Sequence, residues 1–329
     1  MRNVIIILTL ILAFSSCKSN REFFTKDGFT QGTTYHIVYK ASENQNSEID
    51  SLLNLVNKTF SLYDKESMLS KVNERESYEV NEMFVELINL STRISNETSG
   101  GFDISVGQLV NAFGFGNTDT MAIDSALIDS LRQYVGFEKI NINGTKITKI
   151  KNLKIDLNAI AQGYTCDVIA DYFDKIDLNN YLVEIGGEVR AKGVNDKKMI
   201  WKVGIDKPVD NSGLENRELQ EIILLENKSL ATSGNYRKFY VKNGVRYSHT
   251  INPKTGYPVK HNLLSVTVLA NTGAEADAYA TSFMVLGLEK AMEMVNKNPD
   301  LKAYFISANA DGTFKIDMSN GMEDLIFKE

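Results

Sequence analysis

Apolar residues fall into two kinds of spacing along this chain, and the alternation between them sets its class. In Ser47 to Phe60, Ile49, Leu52, Leu53, Val56 and Phe60 recur at helical intervals. The same stripe appears in Asn81 to Thr98 through Met83, Phe84, Leu87, Ile88 and Ile94, and Ser99-Gly100-Gly101 ends it with a glycine C-cap. Between these two helices, Ser61 to Asn73 reads as a polar turn and a short helix. Thr30 to Tyr39 alternates instead, which predicts a strand entered through Gly32. Lys139 to Leu157 alternates in two runs around Asn143-Gly144, the signature of a β-hairpin. Its second run leads through Asn158 to Gly163 into a helix reaching Phe173. Tyr181 to Val189 is a strand broken at Gly186-Gly187, and further strands are expected at Ile200–Asp206, Ile222–Leu225 and Leu264–Leu269. Asn243-Gly244 suggests another hairpin, closing at His249. Ala274 to Leu286 and Leu288 to Asn296 read as helices, the first built from small residues. Only Gly100 to Gly116, rich in glycine, shows no regular amphipathic pattern. Helices and hairpins are mixed without a βαβ repeat, so the chain is α+β, with mixed or antiparallel sheets and packed helices.

Composition narrows the field. At 329 residues the chain can hold two packed units of ~150 residues each. A net charge of -6 with no basic block argues against a nucleic-acid partner, because phosphate backbones are bound by clustered Lys and Arg. The N-terminus carries its own message. Met1-Arg2-Asn3 supplies a positive charge, Val4 to Phe14 an apolar core, and Ser15-Ser16-Cys17 small residues before a cysteine. This is the layout of a secretory signal, and it is too short for a bilayer core that needs ~20 residues. A cysteine at that place resembles a bacterial lipobox. The expected organisation is a signal peptide over 1–16, a tether over 17–26 lipidated at Cys17, and one domain over 27–329. Cys166 is then the only thiol of the mature chain and reads as a buried small residue inside a helix.

The candidate chemistry gathers between Ser229 and Thr281. Asp277 and Thr281 stand four residues apart on the small-residue helix, so both project from one face. Carboxylate and hydroxyl oxygens are hard ligands suited to Mg²⁺. His249, between Ser248 and Thr250 at a strand end, can exchange protons near neutral pH, although spacing alone suits a structural histidine equally. His36, inside a strand, reads as structural. Around Asp156 to Gly163 a strand, a small-residue turn and a helix follow one another, an arrangement that aims backbone N–H groups at an anion. The P-loop spacing is absent there.

Eight segments together resemble the ApbE family of FAD:protein FMN transferases. In chain order they are QGTTYHI from Gln31, SLYDKESMLSKVN from Ser61, TSGGFDISVGQLVNAFGFG from Thr98 and KIDLNAIAQGY from Lys154. YLVEIGGEVRAKG from Tyr181, ATSGNYR from Ala231, RYSHTINPKTGYP from Arg246 and EADAYATSFMVLG from Glu275 complete the series. The resemblance spans Gln31 to Leu288 and implies two intimately joined subdomains with FAD between them. It places flavin contacts at Gln31, Tyr63, Gly101, Phe102, Asp103, Asp156, Gln162 and the backbone near Ile251. It gives Mg²⁺ to Asp277, Thr281 and the backbone oxygen of Ala159. The family usually has Met where Gln31 stands, Ser or Thr where Asn158 stands, and commonly Lys where Gln162 stands. The implied reaction splits the FAD pyrophosphate, passes FMN to a Thr or Ser hydroxyl of an acceptor flavoprotein and releases AMP, with His249 as base and Asp277 as second choice. The acceptor would be an extracytoplasmic subunit, met at a membrane of the bacterial cell envelope by a lipid-anchored enzyme. Two other readings use the same residues: a Mg²⁺-dependent FAD pyrophosphatase giving FMN and AMP, and a flavin-binding lipoprotein without catalysis.

Overall fold

In a computed structural model, residues 21–116, 123–209, 218–235, 239–242 and 245–328 are described, with only the backbone for 239–242 and 245–248. Eight strands form one antiparallel sheet whose spatial order is also their chain order. They are β1 (Glu22–Thr30), β2 (Thr33–Ala41), β3 (Tyr181–Ile185), β4 (Glu188–Lys192), β5 (Lys228–Gly234), β6 (Leu263–Ala270), β7 (Lys302–Ala308) and β8 (Phe314–Met318). The meander is interrupted by insertions. The longest, between β2 and β3, carries α1 (Asn46–Phe60), α2 (Met68–Glu74), α3 (Glu82–Glu97), α4 (Gly107–Ala112), α5 (Ser125–Arg132) and α6 (Ala161–Lys175). It also holds a small sheet in the order Ser77–Glu79, Lys146–Lys149, Ile140–Asn143. Between β6 and β7 come α7 (Gly273–Leu286) and α8 (Leu288–Lys297).

The period of two along each strand decides which layer a side chain joins. Tyr35, Ile37 and Tyr39 of β2 and Tyr181, Val183 and Ile185 of β3 pack on α1 and α6 against Ile49, Ile169 and Phe173. Val266, Val268 and Ala270 of β6 face α7 on the same side of the sheet. Val38, Leu182 and Leu269 point the other way, to a hairpin of Trp201–Asp206 and Leu219–Leu225. Phe84, Leu87 and Ile88 of α3 share one core with Ala276, Tyr279 and Phe283 of α7. The helical insertion meets the sheet directly through α1 and α6 and again through α7, and the fold is of the α+β class that the sequence pattern predicts.

α7 is enclosed almost all round. Ala274, Ala276, Ala278 and Ala280 are at most 1% exposed. Their lack of bulk lets β5, β6, α6 and α3 approach one helix from several sides. Cys166 is buried and free, its thiol donating to the Glu188 carbonyl at 3.3 Å, and burial pushes its pKa up, away from thiolate chemistry.

Three local expectations change. The polar stretch assigned to a tether ending at Lys26 contains the first half of β1, paired from Glu22↔Ala41 to Thr30↔Thr33. An edge strand has a covered face only in part, so its pattern reads as polar. Gln31 and Gly32, at φ 50° and 76°, form the two-residue turn between β1 and β2. Gly186 and Gly187, both at positive φ, likewise make a hairpin between β3 and β4 where an interrupted strand was expected. Within the glycine-rich stretch, Gly107–Ala112 closes into the short α4. The signal peptide and Cys17 lie outside the described residues, as does the Asn243-Gly244 turn.

Candidate active site

Three backbone amides meet two buried aspartates where α6 crosses α7. A Cβ on Gly163 would stand 2.1 Å from the Gly273 carbonyl oxygen, and one on Gly273 would stand 2.3 Å from that of Gly163. Two glycines at the crossing let the backbones touch, and this carries Asp277 to the first turn of α6. There the Gly163 N–H donates to Asp277 Oδ2 at 3.2 Å. Asp277 is 7% exposed, and no salt bridge is described for it. Burial pushes its pKa up to about 7; the Gly163 N–H opposes the rise and neighbouring Asp167 adds to it. Thr281 follows one turn later on α7 and is half-buried. None of the described backbone hydrogen bonds ends on the Ala159 carbonyl, which lies in the turn just before α6.

The expected flavin residues separate into three places. Gln31 and Gln162, two of the positions that depart from the family pattern, both come to the first turn of α6. Gln31 Nε2 donates to Thr165 Oγ1 at 2.5 Å, and the Gln162 amide lies against Gly186, where an added Cβ would meet its Nε2 at 2.7 Å. Asp156 lines a cleft of about 290 Å³ with Leu62, Lys65, Asn73, Gly107 and Lys154. Its Oδ1 accepts the Asn158 N–H at 2.8 Å, which shapes the turn into α6. Tyr63 belongs to the loop at the rim of this cleft and is 73% exposed.

Gly101, Phe102 and Asp103 lie toward a second cleft of about 330 Å³, which Gly100, Asp103, Gly136, Phe137, Pro253 and Lys254 help to line. Phe102 is buried in the main core. Asp103 is occupied within its own loop: Oδ1 accepts from Ser105 N–H and Oγ–H at 2.8 and 2.6 Å, and Oδ2 from Phe137 N–H at 3.1 Å. Burial raises its pKa despite those donors. Ile251 packs on Leu109, Phe113 and Ile128. Asp156 N–H donates to the Ile104 carbonyl at 2.7 Å, which ties the segment of the first cleft to the one that carries Asp103 in the second. His249 is half-buried, with its ring edge-on to Phe115 at 6.2 Å. His36 pairs with its cross-strand neighbour Asp27 at 2.6 Å on the exposed edge, as a structural histidine does.

Several residues that build the site give no local signal. Asp167 of α6 accepts the Gly273 and Ala274 N–H groups at 2.7 and 2.8 Å, capping α7 from another helix. Arg190 of β4 meets Asp167 at 2.8 Å and Asp171 at 3.1 Å. Asn73 holds both backbone groups of Ile155, accepting its N–H at 2.7 Å and donating to its carbonyl at 2.8 Å, and so fixes the extended segment leading to Asp156, which is not the strand expected there, since that strand ends at Lys149. Asp167, Asp171 and Asp174 lie at i, i+4 and i+7, a stripe that resembles a solvated face until Arg190 is seen to cover it.

Residues 31–305 match the family model described as the ApbE family. The FAD:protein FMN transferase of Vibrio cholerae is 38% identical over 91% of this chain and 92% of its own length. That of Haemophilus influenzae is 36% identical over 94% of this chain and 93% of its own. The solved structure of the flavin transferase ApbE from Vibrio cholerae superposes with a TM-score of 0.83 at 36% identity, covering 93% of this chain and 99% of that one.

Proposed function

The chain belongs to the ApbE family, and from that membership we propose how its own residues act as a FAD:protein FMN transferase. FAD is the substrate. An acceptor Thr or Ser oxygen forms a bond to the phosphorus of the FMN half, the bridging P–O bond to AMP breaks, and the hydroxyl proton leaves to a base. The products are a phosphoester-linked flavoprotein and AMP.

The observation that carries the reading is Asp277: a buried carboxylate whose described donor is a single amide, beside the N-terminal turn of α6. A buried carboxylate without a cation is costly, and its raised pKa is the sign of that cost. Among the described residues no group of three His, Cys, Asp or Glu could hold a metal. One carboxylate, one hydroxyl and one carbonyl make a hard, oxygen-only set that leaves room for substrate phosphates, which fits Mg²⁺ and does not favour zinc. Asp277, Thr281 and the Ala159 carbonyl would hold the ion. When bound, Mg²⁺ neutralises charge developing on the pyrophosphate. Asp156 orders the turn that presents α6, Gln31 and Gln162 line its first turn, and Tyr63 offers an exposed ring for stacking. Asp103 lines the second cleft, and Gly101, Phe102 and the backbone at Ile251 are assigned flavin contacts beside it. His249 is assigned the proton of the acceptor hydroxyl, a role suited to an imidazole near neutral pH.

The test supplies FAD, Mg²⁺ and an acceptor carrying a Ser/Thr-Gly-Ala-Thr segment of the family type. A covalent FMN adduct by mass spectrometry, with stoichiometric AMP, is expected. Free FMN and AMP without adduct would mean that water takes the place of the hydroxyl, the pyrophosphatase reading. Binding without turnover would leave a flavin-binding protein. Asp277→Ala is expected to abolish Mg²⁺-dependent turnover.

For location, the reading is lipidation at Cys17 and attachment to an envelope membrane on its outer, extracytoplasmic side, facing an acceptor there. No helix among the described residues is long and apolar enough to cross a membrane. Only Lys18 to Arg21 separate Cys17 from β1, so the sheet would sit close to the lipid surface. Labelled fatty acid should enter the native protein and not Cys17→Ser.

A further inference from the structure

α6 and α7 meet in a ladder with steps of four residues on each helix. Asp167 meets Gly273 and Ala274, and one turn earlier on α6 Gly163 meets Asp277, one turn later on α7. The numbers fall on one helix as they rise on the other, so the helices run antiparallel past each other. One further step of four residues leads to Thr281 on α7 and to Ala159, which lies in the turn before α6 begins at Ala161. Asp277, the metal oxygen whose contact the ladder includes, is thus one rung from Asp167.

That first rung is over-determined. Gly273 and Ala274 are the opening residues of α7, whose N–H groups have no partner within the helix. The local cap Thr272 serves only the Glu275 N–H, at 3.3 Å, and leaves those two to Asp167. Asp167 can take both because Arg190, rooted in β4, stands 2.8 Å from Oδ1 and ties the group to the sheet. A glycine pair beside the rung removes every side chain that could hold the helices apart.

We propose that Asp167 is a positioning residue for the metal-binding oxygens: with Arg190 it fixes the start of α7 against α6, and thereby the register that sets Asp277 opposite Gly163 and carries Thr281 one turn further along α7. This rests on the reading of those oxygens as metal ligands. Asp167→Asn keeps the shape but turns an N–H₂ group toward a backbone N–H and takes from Arg190 the nearest of its three carboxylate partners. Groups that orient metal ligands change metal affinity by about 10- to 100-fold when lost, so half-saturating Mg²⁺ should rise about tenfold. In the metal-free protein, hydrogen exchange at the Gly163 amide should quicken along with that at Gly273 and Ala274.

Phe173→Leu, which loosens a different core on the same helix, serves as the control for plain destabilisation. It should lower the melting temperature and leave half-saturating Mg²⁺ and Gly163 exchange in place. If Asp167→Asn does not fold, Arg190→Lys must show a smaller rise of the same sign. The proposal is overturned if the folded variant keeps half-saturating Mg²⁺ within about twofold, well short of the usual effect of such groups, or if Gly163 exchange is unmoved. Should Asp277→Ala retain full Mg²⁺ response, the ligand assignment fails instead, and the two failures are distinct.

Discussion

The α6–α7 crossing and the loop that carries Tyr63 serve the same proposed reaction with opposite construction. At the crossing Asp277 is 7% exposed, and amides, two glycines and Asp167 fix its surroundings. In the loop Tyr63 is 73% exposed, and its backbone is held by Ser61, whose Oγ accepts the Tyr63 and Asp64 N–H groups at 3.2 and 3.1 Å. Oxygens that must hold a small, geometrically demanding cation need fixed positions, and backbone contact supplies them. A ring that stacks on a ligand needs an open face, and gains nothing from being buried beforehand. The proposed metal end is thus built before any ligand arrives, while the aromatic part of the proposed flavin end is an exposed surface.

The severest way to break this contrast is to separate the two helices. In Gly163→Ala the new Cβ would stand 2.1 Å from a backbone oxygen and 2.5 Å from its carbon, so no side-chain rotation can relieve it. We expect a loss of about 3 kcal/mol in urea unfolding, the upper range for overpacking, together with loss of Mg²⁺ response. Gly273→Ala acts on the same contact, so the double variant should cost less than the sum of the two. Gly32, at φ 76° with nothing within 4 Å, is the counter-example. Its replacement by Asn should cost at most about 1 kcal/mol, because only the left-handed backbone is at stake.

A second effect comes from protons. Burial holds Asp277 near 7 and, against the opposing pull of Arg190, Asp167 near 6, whereas an aspartate in the unfolded chain titrates near 3.9. Between those values the folded state binds more protons than the unfolded one. Metal-free stability should therefore fall as pH rises from about 4 through 7, by up to about 1.4 kcal/mol per pH unit for each group. Mg²⁺ needs the carboxylate, so the rise in melting temperature on adding Mg²⁺ should be small at pH 5.5 and grow through pH 7. Asp277→Asn should flatten the metal-induced trend and leave only the share of Asp167 in the metal-free one, and a metal-induced shift independent of pH in the native protein would remove Asp277 from the ligand set.

How far the sequence reveals these two ends follows from the distance over which each is encoded. Turns and helix faces are local, so the Asn143-Gly144 hairpin, the stripe from Phe84 to Ile94 and the small-residue helix of α7 stand as read. β1 was hidden because an edge strand has little apolar alternation to show. Asp277 and Thr281 were visible as an i,i+4 pair, and the ordered family motifs gave the pair its meaning. What placed them was not visible: Gly163 and Gly273 lie on different helices, and nothing near Asp167 marks it as the cap of a helix 106 residues away. Contacts of that span arise from the fold, and only the fold displays them.

The mildest test addresses the open end. Tyr63→Ala removes an aromatic face without removing a core contact, since the ring is largely in solvent. Folding stability should stay within about 0.5 kcal/mol, as for exposed sites in general. Base-on-aromatic stacking is worth roughly 1–3 kcal/mol when it is made, so KM for FAD should rise about tenfold. kcat and half-saturating Mg²⁺ should hold, because the ring stands in solvent while Asp277 is buried at the α6–α7 crossing, and Tyr63→Phe should restore KM by returning the ring without its hydroxyl. A fall in kcat with KM unchanged would reverse the assignment, making the exposed loop part of the chemistry and the separation between a rigid metal end and an open flavin end untenable.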